Sequence, residues 1–490
     1  MLCCSNKVIL NNDAMNRYSL LLLLILSLFA DKAQAKVRLP HILGDEMVVQ
    51  QDADVRLWGW DTPGRQVRVT TSWGNQSETV KTGKDGKFLL TVHTPKASYT
   101  PLSVTFDDGE KVTLNGILSG EVWVCAGQSN MEMPMRGFGN CPVEGYNQEI
   151  IEANKYKGIH YVKIPSVMSM RPLDDANCEW KAISPETLGD CSATGYFFAQ
   201  TVNRALDIPV GLIMANKGGT RVESWLDADN LKKYTQESLD SMTNVKKFPI
   251  DYYRPLVWGN GTFSPILNYT VKGILFYQGC SNVGDPGDQY SQRLKLLVEQ
   301  WRRDFRLGDI PFYFVQIAPF YNDDVDGDLG AKLREQQLKA SKIIPNSAIV
   351  CTEDLVYPWE TQQIHPTQKR QVGQRLANIA LNKNYGMKSL MYKSPEVKDY
   401  RFSNDTCYVN LQNDYDAVSR FEDIQGFELA GEDKVFHKAD AHYYWGKGIG
   451  ITCPEVTKPV AVRYCFRNFL LGNVANAAGL PLFPFRSDNW

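Results

Sequence analysis

A chain of 490 residues exceeds what one hydrophobic core ordinarily holds, so two or three domains are expected. Its composition, 43% hydrophobic and 22% charged, is that of a soluble globular protein. Lys and Arg together number 53 against 55 acids, a balance that gives no electrostatic ground for a nucleic-acid or acidic-membrane partner.

Residues 1–35 read as a leader. Arg17 precedes an apolar run from Leu20 to Leu26, and Ala33-Gln34-Ala35 follows, the charged, apolar, small-residue order of a secretory signal. The run is too short to span a bilayer, and no later stretch approaches membrane length. The expected product is exported, periplasmic or extracellular, after cleavage near Ala35, with Met15 an alternative start to Met1. Nine of the 11 cysteines lie beyond this segment, and an oxidising compartment makes Cys141, Cys178 and Cys191 disulfide candidates. Nine is odd, so at least one thiol is expected free or intermolecular.

Residues 36–118 read as a β-sandwich. "VRLWGW", "QVRVTTSW" and "FLLTVHT" are rich in β-branched and aromatic residues, with turn signals such as Thr62-Pro63-Gly64 and Asp85-Gly86 between them. From 119 to 388 the text changes. "EVWVCAG", "IPVGLIMAN", "VKGILFYQG", "IPFYFVQIAP" and "SAIVCTEDL" are short, nearly continuous apolar runs, as for strands buried on both faces of a parallel sheet. Helical periods intervene, one through Tyr290, Leu294, Leu297, Trp301 and Phe305, another through Val372, Leu376 and Ile379. Strand-helix alternation predicts a doubly wound α/β domain. Residues 389–490 return to strand-like text and end in an aperiodic, aromatic tail expected to lie across another domain.

In open parallel sheets ligands bind beyond the carboxyl ends of the strands. There the sequence places Ser129, the Gly218-Gly219 turn, Asn282 and, ten residues past the last strand, His365. These are parts of an acyl-transfer site: a hydroxyl needing a base, and glycine N–H and amide donors for an oxyanion. Each alone has a plainer reading, since Ser129 suits a helix cap, Gly218-Gly219 a turn and Asn282 an Asx turn. No G-x-S-x-G surrounds Ser129, no CxxC or HExxH occurs, and neither a metal nor a cofactor is expected.

Five ordered blocks, "GEVWVCAGQSNMEMPM", "YFFAQTVNRAL…IPVGLIMANKGGTRVESWL", "ILFYQGCSN", "IHPTQKRQVGQRLA" and "PVAVRYCF…GLPLFPFRSDNW", resemble the sialate O-acetylesterase family within the SGNH hydrolases. The resemblance covers nearly the whole chain after the leader. It implies an SGNH flavodoxin-like three-layer domain with a parallel sheet, flanked by jelly-roll-like β-sandwich elements. It also implies serine esterase chemistry on an O-acetylated carbohydrate, with 9-O-acetyl sialic acid as the expected substrate. Carried onto this chain, Ser129 is the nucleophile and His365 the base, with Gly219, Asn282 and the Ser129 N–H around the oxyanion. Gln128 and Arg221 are the substrate-binding candidates, and Arg136 joins Arg221 as a partner for a sialic acid carboxylate.

Three departures stand out. Cys280 replaces a glutamate of the family's loop, Lys217 precedes the Gly-Gly pair, and Gln362 stands three residues before the histidine, where an aspartate is usual. Gln363 is not acidic either. The third member of a triad is therefore open between Asp354, Glu353, Glu360 and a backbone carbonyl, with a Ser-His dyad also viable. Two further readings stay open: an acetylesterase of xylan, pectin or another glycan, and a carbohydrate-binding protein with a decayed hydrolase site.

Overall fold

The computed structural model describes residues 36–490 apart from 75–76, 234–238, 416–417 and 419–422. The expected leader and both candidate starts lie outside the described residues.

The five apolar runs form five strands of one sheet: β1 (Lys111–Gly127), β4 (Val210–Asn216), β5 (Gly273–Tyr277), β6 (Phe312–Val315) and β7 (Ser347–Val350). Two more, β2 (Ile159–Lys163) and β3 (Trp180–Ala182), complete the order β7-β6-β5-β1-β4-β2-β3. All of these pair in parallel except β3, which is antiparallel to β2. Successive side chains alternate between two cores. Val122, Val124, Ile274 and Phe276 face one, and Trp123, Cys125, Leu275 and Tyr277 face the other.

Each face is covered by helices. Leu294, Leu297 and Trp301 of α3 (Tyr290–Phe305) and Leu333 and Ala340 of α4 (Leu329–Ile343) close the first core. Phe197 and Phe198 of α2 (Ala193–Leu206) and Val372, Leu376 and Ile379 of α5 (Lys369–Asn384) close the second. The result is the expected three-layer α/β domain. Strand order reverses at β1, with β4 and β2 on one side and β5, β6 and β7 on the other, which makes its carboxyl end the switch point where such folds bind ligands.

The flanking β units differ in how they join this domain. Strand β1 is continuous across residue 118. Its first half pairs antiparallel with Ser98–Asp107, its second half is a central strand of the sheet, and Val48–Gln50 lies parallel to its middle. Val67, Val69 and Phe106 of the N-terminal unit share the core that covers one face of the sheet. The C-terminal unit has two four-stranded antiparallel sheets and a separate core around Cys407, Leu429, Ile451 and Tyr464. It clamps onto α4, where buried Arg334 donates to the Cys465 and Arg467 carbonyls at 3.3 and 2.5 Å and Arg486 pairs with Glu335 at 3.0 Å. The nine cysteines are all free thiols, so the expected bridges among Cys141, Cys178 and Cys191 are absent. No helix among the described residues is long and apolar enough to cross a membrane.

Candidate active site

Gly127 ends β1 at φ +130°, where a Cβ would lie 2.2 Å from the Tyr277 carbonyl oxygen, so only glycine lets β1 and β5 approach this closely. Gln128 remains extended, and Ser129 opens the short helix α1 (Ser129–Glu132). Three strand ends are then tied together. The Gln128 N–H donates to Tyr277 O at 2.9 Å, the Gly279 N–H donates to Gln128 Oε1 at 2.8 Å, and the Gly218 N–H donates to Glu132 Oε2 at 2.5 Å. Ser129 is thereby held at the rim of the central strand, partly exposed.

His365 comes from the loop between β7 and α5. Its Nε2 lies 2.8 Å from Ser129 Oγ, and its Nδ1 faces Cys141 Sγ at 3.5 Å. The Phe138 ring meets the imidazole edge-on, centroids 5.1 Å apart. Burial, reinforced by the Lys369 ammonium, pushes the imidazole down from 6.5 to about 4. The ring is therefore neutral at physiological pH and able to accept a proton. Lys369 is itself buried, its Nζ donating to Asn130 Oδ1 at 2.9 Å and Pro366 O at 2.5 Å. Burial lowers this amine to about 7 against the attraction of Glu360. Glu360 fixes the loop by accepting from the N–H groups of Tyr357 (2.8 Å) and Thr367 (3.1 Å).

The remaining expected site residues divide. Gly219 sits at φ +77° against the Tyr252 ring, where a Cβ would be 2.6 Å from a ring carbon. Among the described residues the backbone N–H groups of Ser129 and Gly219 have no protein acceptor, which leaves both as donors. Asn282 does not fit the part expected of its side chain. Both amide hydrogens are engaged, to Glu223 Oε2 and Asp285 O at 3.0 Å each, while Oδ1 accepts from the Val222 N–H and Gln278 Nε2. It is a fully buried loop clamp.

Gln128 likewise uses its side-chain oxygen to hold Gly279 rather than substrate. Arg221 is paired, its Nη2 donating to Asp285 Oδ2 at 2.5 Å and Asp285 O at 2.9 Å, and Arg136 pairs with Asp190. Of the candidate acids, Asp354 is held in a two-pronged pair with Arg375 (2.7 and 2.6 Å) and Glu353 lies buried beside Arg334 (3.7 Å). Neither these nor Glu360 reaches the Nδ1 of His365, so the expected third acid is not found there among the described residues. Cys141, Gln363 and Lys369 occupy that surrounding instead. Cys141 was legible only as a disulfide candidate, and Lys369 carried no signal beyond its place in the "IHPTQK" block.

A hydroxyl and a neutral imidazole in contact at the switch point of a three-layer sheet are the parts of an acyl-transfer site, and its family and structural matches define the protein's class as carboxylic ester hydrolase. The family model described as "Carbohydrate esterase, sialic acid-specific acetylesterase" matches residues 119–382, and the chain belongs to that family. It is 27% identical over 416 residues to the sialate O-acetylesterase of Homo sapiens, covering 76% of each chain. It is 24% identical over 469 residues to that of Mus musculus, covering 84% of this chain and 85% of the mouse protein. Among solved structures, a carbohydrate acetylesterase from Xanthomonas citri superimposes with a TM-score of 0.82 at 29% identity, over 93% of this chain and 100% of that one.

Proposed function

We propose that this protein removes O-acetyl groups from carbohydrate, with Ser129 as nucleophile and His365 as general base. The 2.8 Å contact between Ser129 Oγ and the neutral Nε2 of His365 carries the reading. As Oγ attacks the acetyl carbonyl, its proton passes to Nε2 and the carbonyl oxygen becomes an oxyanion. The N–H groups of Ser129 and Gly219 are the donors for that charge. Collapse breaks the ester C–O bond, and the sugar oxygen leaves with the proton from Nε2. Water then gives a proton to Nε2 and attacks the acetyl-serine. The second tetrahedral species expels Oγ, which regains that proton, and acetate departs.

An O-acetylated sialic acid is the substrate supported by the family description and by the mammalian relatives. Trp359, 78% exposed on the loop that carries His365, is the candidate platform for a sugar ring. Its ring stacks on Tyr357 with centroids 4.7 Å apart and 7° between planes. Residues 17–35 support export of the protein. The test is acetate release from a panel of O-acetylated sialosides and acetylated plant oligosaccharides, with wild type and Ser129→Ala. Serine-dependent release greatest on sialosides is expected. Preference for xylan or pectin esters would move the substrate, and glycan binding with no serine-dependent hydrolysis would contradict the enzyme.

A further inference from the structure

Gln362 rather than an acid stands three residues before His365, and the side chains around the imidazole supply something else. For Nε2 to accept the Ser129 hydroxyl proton, the imidazole must carry its own hydrogen on Nδ1, and that N–H requires an acceptor. Among the described residues no carboxylate meets it. The group facing Nδ1 is Cys141 Sγ, at 3.5 Å. A thiol accepts weakly and donates weakly, so its own hydrogen must also go somewhere. Gln363 Oε1 lies 2.9 Å from Sγ, and Asn140 Oδ1 lies 3.3 Å away. Gln363 is oriented for this contact. Its Nε2 donates to Asn140 O at 3.1 Å, which turns Oε1 inward, where it also accepts the backbone N–H of His365 at 3.3 Å.

We infer that Cys141 and Gln363 are the positioning residues of His365 and stand in place of the triad carboxylate. Each donor of this relay then finds an acceptor: Ser129 O–H to Nε2, Nδ1–H to Cys141 Sγ, and Cys141 S–H to Gln363 Oε1. The turn that presents the thiol is built for it. Phe138 and Cys141 exchange backbone hydrogen bonds at 2.9 and 3.1 Å. Gly137 sits at φ +76°, where a Cβ would come within 2.3 Å of Cys141 O. Burial raises the Cys141 thiol pKa, which keeps its hydrogen in place.

The arrangement fixes the tautomer as an aspartate would, without stabilising the imidazolium by charge. The groups around the ring from other elements agree with that. Lys369 at the start of α5 opposes a positive charge on the imidazole, Glu360 is engaged by the loop's own N–H groups, and Cys280 beyond β5 is a half-buried thiol pushed up by desolvation to about 11.

The inference rests on Ser129 and His365 acting as nucleophile and base, and the experiment separates the two. Steady-state hydrolysis of p-nitrophenyl acetate is measured from about pH 3.5 to about pH 9, which brackets the His365 value of about 4 and the Lys369 value of about 7, for wild type, Ser129→Ala, Cys141→Ala, Cys141→Ser, Cys141→Asp and Gln363→Leu. Cys141→Ala and Gln363→Leu should each lower kcat at least about 10-fold with KM little changed. Cys141→Ser, whose hydroxyl accepts and donates in the same places, should restore most of it. Cys141→Asp should move the acid limb upward, because a carboxylate on Nδ1 favours the imidazolium.

Unchanged kcat and pH profile in folded Cys141→Ala and Gln363→Leu, with Ser129→Ala dead, overturn the inference alone. If Cys141→Ala does not fold, Gln363→Leu and the pH shift of Cys141→Asp decide in its place. Full turnover in Ser129→Ala overturns the reading of the site on which the inference stands.

Discussion

His365 carries the clearest consequence at the scale of single residues. Its folded pKa of about 4 lies below the ordinary 6.5, because burial and the Lys369 ammonium both disfavour the charged ring. The base form therefore persists in mild acid. The acid limb of kcat/KM, which reports the free enzyme, should fall near pH 4, and a limb at 6.5 would contradict the environment described here. The same shift acts on stability. Between about 4 and 6.5 the unfolded chain binds a proton that the folded chain does not, so this histidine's contribution is lost as pH falls through that window.

Asn282 gives the second expectation at this scale. Its amide holds Glu223, Asp285, Val222 and Gln278 together in a buried loop. Asn282→Ala leaves such groups unpaired and should cost about 1–3 kcal/mol of stability for each buried group stranded. A thermal melt reads this directly. A variant with unchanged stability and a large loss of kcat would instead restore the oxyanion assignment.

At the scale of elements, the five central strands were legible because burial on both faces demands near-continuous apolar text. Helix α3 was legible because its apolar residues recur on one face. Helix α4 was not, and its sequence shows why. Arg334, Gln336 and Gln337 are buried, so the apolar period is interrupted by side chains with specific partners. Gln337, for one, accepts from the Ile317 N–H at 2.8 Å and donates to Gln278 O at 2.9 Å.

The site shows the same division. Ser129 and His365 could be located because each follows a recognisable strand, and chain order alone put them on one rim. The duties of Gln128, Arg221 and Asp354 depend on partners distant in sequence, and that of Asn282 on Val222 and Glu223 as well as on its neighbours Gln278 and Asp285, which no local pattern encodes. One element-scale prediction concerns the loop before His365. There Tyr357 Oη donates to Glu144 at 3.1 Å and holds the Trp359 ring in place. Trp359→Ala should raise KM for acetylated glycosides about 10-fold, the scale of one lost ring contact, and leave p-nitrophenyl acetate hydrolysis unchanged. Equal KM values on glycosides would remove the platform.

At the scale of the whole molecule, β1 runs through both the N-terminal β unit and the hydrolase domain. The strand that presents Ser129 is the same strand that closes the N-terminal sheet, and Val67, Val69 and Phe106 lie in the core that covers the central sheet. A chain boundary at residue 118, natural from composition alone, would cut through a paired strand. Calorimetry should therefore show these two parts unfolding in a single transition, and a chain beginning at residue 119 should not fold. Two resolved transitions for 36–118 and 119–388 would show that the shared strand does not couple them.

The proposed reaction requires Ser129 to become acylated with His365 as its base. Acid-quenching the protein during turnover of an O-acetylated substrate and mapping its peptides by mass spectrometry tests this most directly. An acetyl group on Ser129, absent when His365 is replaced by Ala, is the predicted result. Sustained acetate release with Ser129 unmodified, and undiminished in Ser129→Ala, would contradict it.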